Sequence, residues 1–408
     1  MELRVNGERL WQSLMDIAKI GGTPKGGCNR QALTDLDIEA RKLFASWCEQ
    51  EGMSISCDAV GNMFARFDGA DVELAPLVIG SHLDTQPTGG KFDGILGVLA
   101  GLEVVRSLRE ASIQPKRSIE IANWMNEEGA RFAPAMMGSG VFSSSLGLEK
   151  VRAITDSEGV SVGSELDRHG YSSMPRPSDR EMHAYLELHI EQGPILEANE
   201  NAIGVVSGAQ GIRWYDIIVR GEETHSGPAP MSYRSDPVTM LPALIQGILD
   251  IGNRDEVSRA TIGQLKASPG SRNVVPGEVH LTVDFRHPDE EVLTSMHEDL
   301  GGLISGLRSE HQKLTVEQYL TWHSPVVAFD QGLVSAVKES TEQLGLSHQY
   351  IVSGAGHDAL MVAQKVPTAM IFTPCRDGIS HNEAEHIEPQ QAEDGANVLL
   401  ATVAKLCS

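Results

Sequence analysis

Three apolar stretches in the first half of the chain each end in residues that can carry chemistry. That pattern constrains the fold more than any other feature. LVIGSHLDT begins at Leu77, SIEIANWMNEEG at Ser118 and MHAYLELHIEQG at Met182. Each reads as a short strand, and GILGVLAGLEVVRSLRE after the first has helical periodicity. Strands alternating with helices predict an α/β layer around a central, largely parallel sheet. In such sheets functional groups gather at the carboxyl ends of strands. Here those ends carry His82 and Asp84, Glu127 and Glu128, and His189 and Glu191.

The texture changes between about residues 208 and 325. Strand-like WYDIIVR, a helix within DPVTMLPALIQGILDIGN, strands ATIGQLKAS and EVHLTVDFRH, a helix from Glu290 and strand KLTVEQYL follow in turn. The order βαββαβ is the ferredoxin-like arrangement. It predicts a compact domain inserted at about 208–325 into a catalytic domain made of 1–207 and 326–408. At the amino terminus, Leu10, Leu14, Ile17 and Ile20 fall at helical spacing.

Composition narrows the function. Lys and Arg number 33 against 56 Asp and Glu, a formal charge of −23. Such acidity argues against nucleic acid and against an anionic membrane surface as partners, while leaving room for a local site that binds a small anion. The five cysteines have no paired spacing, so neither a disulfide framework nor a thiolate zinc site is expected. No apolar run reaches the length of a membrane span, and the amino terminus lacks the apolar stretch of a secretion signal. A cytoplasmic location is the expectation.

A lone buried histidine is usually a satisfied core residue, and a Glu-Glu pair is usually a solvated turn. Here several such residues converge. His82, Asp93 after a Gly-rich loop, Glu128, His189 and His381 form a set of imidazoles and carboxylates without thiolates. Zn²⁺, Mn²⁺, Co²⁺ or Ni²⁺ suits these donors. Five ligands exceed what one tetrahedral ion with an open position needs, but they suffice for two ions if one carboxylate bridges. Adjacent glutamates would repel unless a cation intervenes. One of Glu127 and Glu128 can ligate while the other handles a proton. In VHLTVDFRH the apolar side chains alternate, so Arg286 projects from the opposite face, where it can reach a ligand rather than the domain core and offer a bidentate fork to a carboxylate.

The motifs GSHLDTQPTGGKFDGILGVLAGLE, NEEGARFAPAMMGSGVF, ELHIEQGPILE, GAQGIRWY, SRNVVPGEV, DFRHPD, SGAGHDA and DGISHNEAEH run nearly from end to end. Through them the chain resembles the metal-dependent aminoacylase/carboxypeptidase clan, and within it the hydantoinase/carbamoylase branch. That branch comprises N-carbamoyl-L-amino acid amidohydrolases, β-ureidopropionases and allantoate amidohydrolases. The resemblance implies a dinuclear metallopeptidase-like catalytic domain with an inserted lid and dimerisation domain. It implies two divalent ions per subunit, with Asp93 bridging, His82 and His189 completing one site, and Glu128 and His381 the other. Glu127 would be the general base and Asp84 the carboxylate behind His82. His225 would stabilise the oxyanion across a homodimer, Asn273 and Arg286 would hold the substrate carboxylate, and Gln192 would line the pocket. The implied reaction is cleavage of the terminal ureido bond of an N-carbamoyl-L-amino acid, or of allantoate or β-ureidopropionate. A peptidase fits the motifs less well, and a non-catalytic binding protein would be expected to have lost a ligand or the base. Arg213, His357 and Asp358 lie in these motifs without an assigned role.

Overall fold

The computed structural model describes residues 3–176 and 179–407. Met1 and Glu2, at the start of the segment expected to be helical, lie outside the described residues. The helix there spans Gly7–Ile17, with the Asn6 side chain accepting the Arg9 N–H and Leu10, Leu14 and Ile17 buried. Ile20 lies beyond its end.

The chain folds into two compact units, Ala209–Val327 and the remainder on either side of it. The larger unit is built on a mixed sheet. Among the described residues, seven of its nine strands lie in the order Ser54–Cys57, Met63–Phe67, Ile119–Trp124, Leu77–His82, Ala184–Ile190, Thr368–Thr373 and Ile203–Ala209. The four from Ile119–Trp124 to Thr368–Thr373 are mutually parallel, and every residue in them is buried. Burial on both faces explains why these segments read as apolar runs rather than alternating ones. Helix Ile95–Glu110 packs on Leu77–His82, and the last helix, Pro389–Leu406, packs on that helix and on Thr368–Thr373. Glu388 and Gln391 form a capping box, with Pro389 in the first turn where its missing N–H costs nothing.

The smaller unit is a four-stranded antiparallel sheet in the order Thr315–Ser324, Gly211–Arg220, Glu278–His287 and Arg259–Ser268. Numbered along the chain this is 4-1-3-2, with helices Leu241–Gly252 and Glu290–Glu310 at the crossovers. Both helices bury apolar faces against Tyr215, Ile217, Leu281 and Phe285. The two central strands, Gly211–Arg220 and Glu278–His287, alternate strictly, so Trp214, Asp284 and Arg286 fall on the opposite face. Among the described residues no helix is long and apolar enough to cross a membrane.

Candidate metal centre

The parallel strands of the larger unit deliver side chains at their carboxyl ends. His82 closes Leu77–His82, His189 sits near the end of Ala184–Ile190, and Glu127 and Glu128 follow Ile119–Trp124. Asp93 enters on the Gly-rich loop before helix Ile95–Glu110, and His381 on the loop before the last helix. Asp93 Oδ1 lies 3.1 Å from His189 Nε2 and 3.6 Å from His82 Nε2. Its Oδ2 lies 3.4 Å from His381 Nε2, which is 3.2 Å from Glu128 Oε2. One carboxylate therefore faces two sets of donors, one with His82 and His189 and one with Glu128 and His381.

These donors fit divalent ions. His82 Nδ1 is 2.9 Å from the Asp84 carbonyl, and His189 Nδ1 is 2.9 Å from the Ile190 carbonyl. A carbonyl only accepts, so each Nδ1 carries a proton, and in the neutral ring it is Nε2, the nitrogen on the Asp93 side, that is left with a lone pair for an ion. A Cβ on Gly94 would fall 2.3–2.4 Å from the His82 ring, and its φ of +72° is one that L-residues rarely adopt. The glycine is what lets the chain turn against that imidazole.

Electrostatics point the same way. Burial opposes charge on His82, but Glu127, Asp93 and Asp84 outweigh it and hold the ring well above the ordinary imidazole range. His381, hydrogen-bonded to Glu128, is raised to about 9. A field that holds protons this firmly also favours a divalent cation. Burial pushes Glu127 well above the usual carboxylate range; Asp358, Glu128 and Asp93 add to the effect and His82 opposes it. Its Oε2 lies 3.5 Å from His82 Nε2. A buried carboxyl beside these candidate metal donors, with its pKa moved upward, is a group suited to taking up and giving back a proton.

Other expectations meet different surroundings. The group behind His82 is the Asp84 carbonyl; the Asp84 carboxylate lies farther from Nδ1, at 3.8 Å. That carboxylate instead accepts the N–H groups of Glu127 (3.3 Å) and Glu128 (3.2 Å), holding the turn that carries both glutamates. Glu191, read as strand-end chemistry, caps the next turn by accepting the N–H groups of Ile195 and Leu196. Gln192, with φ +59°, donates to Asp93 Oδ2 at 2.8 Å and so lies at the centre itself.

His225, Asn273 and Arg286 lie on the smaller unit. His225 pairs in register with Val274, and the Ser226 N–H donates to the Asn273 carbonyl at 3.0 Å, so a two-strand ladder places His225 beside Asn273. Arg286 does project from the open face, but it is not free. Its guanidinium is bonded to both oxygens of Asp284, at 2.8–3.1 Å. Arg213 donates to Glu290 and Thr294 and so ties the helix Glu290–Glu310 to the sheet.

Further buried groups surround the centre, and the sequence pattern assigns them no role. Glu187, on the same strand as His189, accepts from Ser81 Oγ, the Ala359 N–H and Tyr185 OH. His357 packs its ring 4.5 Å from that of His189 and bonds Ser353, while Asp358 accepts from Ser139. Glu385 sits behind Asp93. Glu187 stands two residues before His189 on the same strand face, which is a legible signal; the other contacts arise only in three dimensions.

With a mixed α/β sheet and these donors at its strand ends, the chain belongs to the Peptidase family M20/M25/M40, whose model matches residues 78–405. Within it the chain falls among the hydantoinase/carbamoylase amidases, hydrolases acting on C–N bonds. It is 47% identical over 401 residues to an N-carbamoyl-L-amino-acid amidohydrolase of Rhizobium meliloti, covering 98% of this chain and 96% of that one. An allantoate amidohydrolase of Bacillus subtilis is 32% identical over 96% of this chain and 95% of its own. A solved hydantoinase/carbamoylase family amidase from Burkholderia multivorans superposes with a TM-score of 0.94 at 48% identity, covering 99% of this chain and 98% of that one.

Proposed function

We propose that the protein hydrolyses the terminal carbamoyl C–N bond of an N-carbamoyl-L-amino acid, releasing the amino acid, carbon dioxide and ammonia. The observation that carries the chemistry is the Asp93 carboxylate, whose two oxygens face separate sets of ligands with the buried Glu127 alongside. The choice of substrate rests on the 47% identity to the Rhizobium enzyme. Hydrolysis of allantoate by the same mechanism is the second reading, favoured by the 32% identity to the Bacillus protein.

His82, Asp93 and His189 would hold one divalent ion and Asp93, Glu128 and His381 the other, as Zn²⁺, Mn²⁺, Co²⁺ or Ni²⁺. Bound there, such a pair supplies Lewis acidity and makes water more acidic. Glu127 takes the proton of the attacking water and passes it to the leaving nitrogen as the C–N bond breaks. Ammonia departs, and the carbamate left on the amino acid loses carbon dioxide. Arg286 and Asn273 bind the substrate carboxylate, Gln192 lines the pocket, and His225 donates a hydrogen bond to the developing oxyanion. For Arg286 this means exchanging Asp284 for the substrate. In the homodimer this reading includes, His225 serves the partner's centre, so mixing inactive Glu127→Gln and His225→Ala subunits should restore activity.

The test is metal removal and return. Exhaustive chelation should abolish ammonia release from an N-carbamoyl-L-amino acid, and one of the four ions should restore it. Undiminished turnover by stripped protein would end the proposal.

A further inference from the structure

Asp93 and His381 reach the centre on irregular loops from distant parts of the chain, and a single buried carboxylate ties those loops together. Glu385, 5% exposed, accepts the main-chain N–H groups of Phe92 at 3.0 Å and Asp93 at 3.1 Å through Oε1. Its Oε2 lies 3.0 Å from Ser380 Oγ. Ser380 immediately precedes His381, and the same hydroxyl is 2.9 Å from Asp93 Oδ2. Gly90 leaves the space: a Cβ there would meet Glu385 Oε1 at 1.9 Å. Both Glu385 oxygens are thus engaged by the loops, and the residue is absent from both sets of ligands.

We propose that Glu385 is a positioning residue that sets the Asp93 loop against the His381 loop, so that the Asp93 carboxylate spans both sets of donors. This rests on the two-ion reading above. Two N–H bonds to one oxygen fix the peptide plane from which the Asp93 side chain departs. Metal ligands tolerate displacements of only ~0.2 Å, so that plane governs whether both Asp93 oxygens reach their ions. Groups of this kind, bonded to ligands and not to the metal, typically change metal affinity 10–100-fold when removed. Because the disturbed ligand is shared, both binding steps should weaken. Loss of Glu128, which belongs to one set, should weaken one.

The experiment titrates the stripped full-length protein with Mn²⁺ and follows binding by electron paramagnetic resonance, where two ions sharing a carboxylate give a spin-coupled signal. Glu385→Ala should weaken both steps 10–100-fold and replace the coupled signal with that of isolated ions. Glu385→Gln keeps an acceptor for the two N–H groups and can donate to Ser380, so it should rescue binding to within about threefold of wild type. Ser380→Ala, which removes the other end of the tie, should fall between. Urea unfolding of the stripped variants separates positioning from general stability. Wild-type affinities and a coupled signal in Glu385→Ala would overturn the proposal. So would equal losses in the Ala and Gln variants that track their loss of stability. Uptake of a single ion by the wild type would instead refute the two-ion reading, and this inference with it.

Discussion

Replacing Gly94 by alanine adds one methyl group directly against the His82 ring. The added Cβ would stand 2.3 Å from His82 Nε2 and 2.4 Å from the two neighbouring ring carbons. Carbon atoms sit comfortably together only from about 3.5 Å, so the ring must retreat by roughly 1 Å. That is about five times the ~0.2 Å a metal–nitrogen bond tolerates, so His82 would cease to act as a ligand. Disturbing a group that merely orients a ligand costs 10–100-fold in affinity; losing the ligand should cost at least ~100-fold, or about 2.7 kcal/mol. The backbone adds its own term, since φ of +72° costs a non-glycine residue about 1–3 kcal/mol. Against a typical folding stability of about 5–15 kcal/mol the variant should still fold. The assay pairs Mn²⁺ titration of stripped protein with urea unfolding. Gly94→Ala should unfold slightly earlier and bind its first ion at least ~100-fold more weakly. Wild-type affinity, with only stability reduced, would refute the claim that Gly94 makes room for a metal-ligating His82.

Glu127→Gln should keep its metal content while kcat falls by roughly two to four orders of magnitude, whereas Glu128→Gln should lose metal; identical behaviour in elemental analysis and turnover would undo that division of labour. Arg286→Lys should raise KM about tenfold or more for a carboxylate substrate and leave a carbamoyl amine unaffected, because an ammonium cannot replace a bidentate fork; steady-state kinetics on the matched pair decides it. Asp37→Ala should cost about 3–5 kcal/mol in urea unfolding, because it leaves Arg41, 2.9 Å from Asp37 in a pair shielded from solvent, as an unpaired buried charge.

The centre is legible where local chain geometry creates it. Fully buried parallel strands must be apolar, so the polar residues at their ends stand out, and His82, Glu127, Glu128 and His189 are visible for that reason. The alternation that puts Arg286 on the open face also puts Asp284 there, one pleat away. The same pattern that turns the guanidinium away from the core therefore also supplies the carboxylate that engages it. Asp84 shows the opposite limit. Nothing in HLDT distinguishes a carboxylate that orients the imidazole from a carbonyl that does so while the carboxylate holds the next turn. Glu385 cannot be found locally at all. In HNEAEH it reads as one more surface acid, and its burial comes from a loop that begins nearly three hundred residues earlier.

The most direct measurement compares ammonia release by the metal-loaded enzyme from N-carbamoyl-L-amino acids, their D-enantiomers, β-ureidopropionate, allantoate and N-acetyl-L-amino acids (the last scored by acid release). The expected result is highest kcat/KM on an N-carbamoyl-L-amino acid, with amino acid and ammonia formed in equal amounts and no turnover after chelation. Preferred cleavage of the N-acetyl compounds, or no ureido substrate turned over by the loaded enzyme, would contradict it.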